Sequence, residues 1–311
     1  MLQTVWRSMH YRINNILLDE ARNVIWAATD FGLARLDLSG NRTGGGGAYF
    51  EGATEDVVFS TFTRTVREDD QYCSQVCGLR APAGPTTLFM NWMSHAGGAV
   101  AVLNITALND PVMPMKITTI DPWTRDYNDV TAEGVAVDSV GNVYVGANSF
   151  VDKWTLTDGV TYEEQRVVAG NAFSTFTGLP GQPLSVSFNG IPGPATSANL
   201  NSVRDLVISP VDDNLLFIAD PGNSAIFMVD LGANTISVAV GTPPTGGPYV
   251  PGVGGKTSAV GISMQPGLSH SRTRLGFCLP PNGNWIGFSE GASFSVAAPL
   301  ANATSALPLP K

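Results

Sequence analysis

The side chains able to carry chemistry in this 311-residue chain are few and scattered. Three histidines, His10, His95 and His270, would suit a zinc ion if they met at one depth of a fold. They do not share a sequence context: one precedes the first apolar run, one sits at a turn, one lies in a linker. Surface histidines are the expectation. A Gly-x-Ser-x-Gly elbow and a His-Glu-x-x-His motif are both absent from the sequence, so nothing resembles nucleophilic or zinc-protease chemistry. The run Gly44 to Gly47 lacks the Lys-Ser/Thr that a phosphate loop needs. Asp220-Pro-Gly-Asn223 offers a carboxylate, but an Asp at that spacing accepts from the following backbone amides and makes a turn. Trp123 and Tyr127, in "DPWTRDYND", form an aromatic pair that could anchor a protein or stack on a sugar. The competing reading tucks the Trp under a sheet edge.

Cys73 and Cys77 are near enough in sequence for a disulfide to be considered, which leaves Cys278 over. A bridge and a pair of plain thiols both remain open at this point. Zinc is disfavoured, since no His or further Cys lies beside the pair.

Composition narrows the partners. Lys and Arg number 17 against 26 Asp and Glu, a formal charge of −9. No basic patch is available to displace counterions from a nucleic-acid backbone, so nucleic acid is an unlikely partner. No apolar run reaches the roughly 20 residues of a membrane helix. The first twenty residues are broken by Arg7, His10 and Arg12, and are not read as a signal peptide. Asn41-Arg-Thr, Asn104-Ile-Thr and Asn302-Ala-Thr are glycosylation triplets. With only four lysines, they lean the expectation towards an extracellular or lumenal glycoprotein.

The elements that must position these residues are strands. The 34 glycines and 21 prolines give a turn-rich composition suited to an all-β fold. "LVISPVDDNLLFIADPGNSAIFMVD" (Leu206 to Asp230) reads as three strands joined by tight turns. The same build recurs in Ile16 to Gly40 and Gly134 to Gly159, and more weakly in Cys77 to Thr106 and Arg274 to Pro299. First strands are expected near Ile13, Cys77, Gly134, Val203 and Arg274. Fourth strands follow in the clearest copies, "YEEQRVVAG" ending at Gly170 and "TISVAVG" ending at Gly241. Four-stranded meanders with apolar runs on both faces are satisfied by radial stacking, as blades of a β-propeller.

The stretch "IPGPATSANLNSVRDLVISPVDDNLLFIADPGNSAIFMVD…TISVAVGT" resembles consecutive NHL repeats. The likeness is specific from Gly193 to Gly241, good from Gly134 to Gly170 and moderate from Ile13 to Gly40. "GVGGKTSAVGISMQPG" (Gly252 to Gly267) is similar to the family's linker, so a further blade is expected after it. The Cys77 unit and the last unit depart from the motif. The resemblance implies one propeller domain over residues 1–311, with an irregular tail at 299–311. Five units are visible, for a family that commonly builds six blades. The strand Leu2 to Ser8 is expected to complete the last blade and close the ring. "DVVFSTFTRTV" is expected as the outer strand of the first blade.

Propeller ligands gather where inner strands start and on the loops between blades. The residues so placed are Asn14, Asn15, Arg80, Glu133, Arg204, Asp205 and Arg272 to Arg274. "EGVAVD" at Glu133 is similar to the opening of a metal-ligating blade in gluconolactonase-like propellers. That likeness implies a site of Glu133, Asn201 and Asp205, whose oxygens suit calcium or another divalent cation. The competing reading pairs Glu133 with Arg204. The main expectation is a platform without a cofactor, binding a protein, peptide or glycan through Arg80, Glu133, Arg204, Asp205, Arg274, Trp123 and Tyr127. The alternative is a metal-dependent lactonase-like or lyase-like enzyme. The long connector Asn171 to Ser202 is a further place for function.

Overall fold

The computed structural model describes residues 13–19, 21–29, 32–37, 55–60, 72–78, 86–94, 97–104, 117–120, 134–147, 149–158, 161–170, 192–200, 203–220, 223, 225–241, 275–278, 286–290 and 293–297. The chain divides into two compact units, residues 1–140 and 141–311. Among the described residues the regular structure is β, with one short 3-10 turn.

Five sheets account for the strands. The first holds β1 (Ile13–Asp19), β2 (Val24–Thr29), β3 (Gly32–Asp37) and β4 (Glu55–Ser60) in that order. The second holds β5 (Tyr72–Gly78), β6 (Thr87–Ser94), β7 (Gly97–Asn104) and β8 (Ile117–Ile120). The third holds β9 (Gly134–Val137), β10 (Val143–Ala147), β11 (Phe150–Leu156) and β12 (Tyr162–Gly170). The fourth holds β14 (Asp205–Ile208), β15 (Leu215–Asp220), β16 (Ala225–Asp230) and β17 (Thr235–Gly241), with β13 (Gly193–Pro194) added outside β17. The fifth holds β18 (Leu275–Cys278), β19 (Ile286–Glu290) and β20 (Ser293–Ala297).

Each of the five expected units is therefore one sheet, and β4 is the outer strand expected from "DVVFSTFTRTV". One boundary moves. The second sheet begins at Tyr72, and its first strand ends at Gly78 where Cys77 was expected to open it. Its fourth strand, Ile117–Ile120, lies beyond the segment read as that unit. Leu2 to Ser8, the linker Gly252 to Gly267 and the tail 299–311 lie outside the described residues.

The strands form where β-branched and aromatic residues run together, and they stop at residues that accept special backbone angles. Asn23 (φ 55°) ends the β1–β2 turn, Gly141 (φ 95°) the β9–β10 turn and Asn234 (φ 52°) the β16–β17 turn. Acidic side chains fix these turns and the β14–β15 turn. The Asp138 Oδ1 accepts from the Val140 amide, Asp212 Oδ1 from Asn214 and Asp230 Oδ1 from Ala233. At the β1–β2 turn the buried Asp19 accepts from the Arg22 amide at 3.2 Å and from the Arg22 guanidinium at 2.8 Å.

A register feature marks three of the sheets as copies of one another. Two residues into the third strand, the pairing with the fourth strand skips a residue. The skipped residue is Val58 in the first sheet, Val168 in the third and Ala239 in the fourth. Such a bulge raises local twist and spoils an outer edge for pairing with other chains. The β7–β8 pairing of the second sheet runs without a skip. That sheet is the one whose sequence departs from the repeat motif.

Both faces of the middle strands are covered. Every residue of β10 is buried, as is every residue of β15 after Leu215. In the first unit, Val24, Trp26, Ala28 and Leu33 of the first sheet pack on Val76, Leu88 and Met90 of the second. Each large side chain in that seam contributes about 1.5–3 kcal/mol. The Asn15 Oδ1 also accepts from the Val76 amide at 3.3 Å, tying β1 to β5.

Candidate functional site

In the fourth sheet the inner strand starts at Asp205, and the charged residues just there are Arg204 and Asp205. The Arg204 amide donates to the Ala219 carbonyl at 3.0 Å, so the ladder begins one residue before β14. Val203 is fully buried, and its Cγ1 lies within 2.5 Å of where a Cβ on Gly146 would stand. A side chain at this position of β10 would have to displace Val203, so glycine suits it. Asp205 is 6% exposed and pairs with Ala219. Strand alternation puts it on the face of Val207 and Ala219, while Leu206 and Asp220 take the opposite face, which Leu206 turns towards Gly146.

Asp220 closes β15 at the same end. Its Oδ1 accepts from the Asn223 amide at 3.1 Å and its Oδ2 from Asn223 Nδ2 at 2.8 Å. Asn223 Nδ2 also donates to the Asn199 carbonyl at 2.9 Å. Asp220 and Asn223 are both fully buried. The turn role expected for Asp220 is what the structure shows, and its carboxylate is engaged by that turn. The reach of Asn223 to Asn199 was not foreseen. Nothing in the sequence sets a turn asparagine apart from one that also holds a distant carbonyl.

The connector ahead of Arg204 is partly a packed wedge. β13 pairs with the start of β17, and the Ala195 amide donates to the Asn234 carbonyl at 3.0 Å. A short 3-10 turn (Ala195–Ser197) follows, and Ala195, Ala198 and Leu200 are buried. Small residues suit this wedge because it lies close to β12; Leu200 Cδ1 is 3.0 Å from a Cβ built on Gly170. Within residues 192–200, part of the connector expected to carry function, Ala195, Ala198 and Leu200 anchor the segment while Pro192, Pro194, Thr196 and Ser197 stay exposed.

Of the residues singled out from sequence, the structure describes Arg204 and Asp205, brings them together as consecutive residues at one strand start, and places Asn15 on β1 and Asn14 beside it. Arg80, Glu133, Asn201, Arg274, Trp123, Tyr127 and the three histidines lie outside the described residues. Among the described residues no three His, Cys, Asp or Glu side chains gather as a metal site. No helix there is long and apolar enough to cross a membrane. Cys73 pairs with Trp92 and Cys77 with Phe89 on one extended strand, β5. Even with Ser74 and Gln75 bulged opposite the single Asn91, their Cα atoms stand about 10 Å apart, beyond disulfide reach.

No family model matches the chain, and no curated protein matches it in sequence. Solved structures match it in fold. An auxiliary nutrient binding protein from Bacteroides thetaiotaomicron superposes with a TM-score of 0.56 at 11% identity, over 93% of this chain and 58% of that one. This chain thus spans little more than half the length of that protein. A putative 6-phosphogluconolactonase from Bacteroides uniformis gives 0.50 at 9% identity, over 94% of this chain and 69% of that one. The structural neighbours are β-propellers. The chain is an all-β protein of the β-propeller class, with five antiparallel sheets among the described residues.

Proposed function

We propose that this chain is a single NHL-type propeller domain acting as a non-enzymatic platform, which binds a protein, peptide or glycan through loops on one face. One observation carries the reading. Six acidic side chains at the described turns serve structure: Asp19, Asp138, Asp158, Asp212, Asp220 and Asp230 each accept from an amide of their own turn. The scaffold is stiffened at its turns, which suits presentation of loops. Binding is assigned to Trp123 and Tyr127, with Glu133, Arg204, Asp205 and Arg274 next to strand starts in the sequence, and with Arg80, which was expected at a strand start but comes two residues after the end of β5 because that strand begins earlier, at Tyr72. The glycosylation triplets support an extracellular or lumenal setting, with Asn104 closing β7. The fold itself admits both a nutrient-binding protein and a putative lactonase, so it does not choose between binding and catalysis.

The test is a glycan array and a displayed-peptide library probed with the full chain. Saturable binding that is lost in Trp123→Ala and kept in the turn variant Asp212→Asn supports the platform. Absence of binding on both surfaces overturns it.

A second reading is favoured by Asp205, a carboxylate buried at the start of an inner strand. Its oxygens, with Glu133 and Asn201, would hold calcium or a similar cation, which would polarise the carbonyl of a lactone-like substrate. A calcium-dependent rise in melting temperature, abolished in Glu133→Ala, supports this reading. No shift with calcium or zinc removes it.

A further inference from the structure

We draw no further inference here: the strongest candidate, the apolar face of the Ile13–Ser60 sheet where Ile16 (57%) and Leu18 (53%) stand exposed beside the buried Ile25 and Ala27, carries nothing because nothing in the structure shows what covers it.

Discussion

The Asn223 side-chain amide donates to the backbone carbonyl of Asn199, 24 residues earlier in the chain, at 2.9 Å. A turn between two strands of the fourth sheet is thereby fastened to the wedge that precedes the sheet. The same nitrogen also serves the buried Asp220 carboxylate, so one side chain holds two segments. Replacing Asn223 by Ala strips Asp220 of one side-chain donor and leaves the Asn199 carbonyl without this partner. Leaving buried groups unmet costs about 1–3 kcal/mol, and more where one is charged. We expect Asn223→Ala to lose about 2–4 kcal/mol of stability by urea titration. A loss below about 0.5 kcal/mol, the range of an ordinary surface change, would show that the fastening does not matter.

Gly146 faces Val203 at a distance that leaves no room for a methyl group. Gly146→Ala is expected to cost about 1–3 kcal/mol by overpacking. The cause can be isolated. Trimming the facing residue in Gly146→Ala/Val203→Ala should recover part of the loss, giving a coupling energy of about 0.5–3 kcal/mol. Strictly additive effects would mean that the strain lies elsewhere.

Gly170 and Gly241 occupy the same place in two sheets. Each ends a fourth strand opposite the first residue of the third, Phe150 and Ala225 respectively, and each has positive φ, 79° and 104°. A Cβ on Gly170 would meet the Ser149 carbonyl oxygen and the Phe150 Cα at 2.2 and 2.7 Å, both backbone atoms that cannot turn aside. Strain and clash act together, so Gly170→Ala should cost about 3 kcal/mol or more. Gly141 also has positive φ, but its nearest neighbour is a flexible Leu156 methyl at 3.1 Å. Gly232, with nothing nearer than 3.5 Å, is the control. Melting temperatures should fall in the order Gly170→Ala, then Gly141→Ala, then Gly232→Ala closest to the parent. A different order would break the argument from backbone geometry.

Much of this architecture was legible in the residues. "LLFIAD" and "AIFMVD" announced themselves by type, and "DPGN" by its turn chemistry, because strand propensity and turn preference are local properties. β12 and β17 end at Gly170 and Gly241 as expected, since glycine marks a backbone that other residues resist. What local pattern cannot carry is register. The skipped residues Val58, Val168 and Ala239 are ordinary apolar residues, and only the pairing with the third strand reveals them. The second sheet shows the same limit. Tyr72–Gly78 mixes polar and apolar residues around a bulge, so the local pattern points to a start at Cys77 while the strand begins at Tyr72. For the candidate site, the position of Arg204 and Asp205 at a strand start was readable from the apolar run that follows them. The opposite facing of Asp205 and Asp220 needed the register as well.

Cys73 and Cys77 give a prediction of a different kind, because sequence spacing and strand geometry oppose each other. Four residues apart, the two look bridgeable; a helix or a loop would bring them together. On β5 the backbone is extended, and the partner residues Trp92 and Phe89 are three apart along β6. At about 3.3 Å per residue this sets the Cα atoms about 10 Å apart, against an upper limit near 7 Å for a disulfide. Bridging them would require unpairing β5 from β6, which buries Leu88, Phe89 and Met90. Purified without reductant and alkylated after denaturation, the chain should yield both cysteines as separately labelled thiols. A peptide map containing a Cys73–Cys77 bridge in folded protein would show that β5 does not form as described, and the seam between the first two sheets would have to be redrawn.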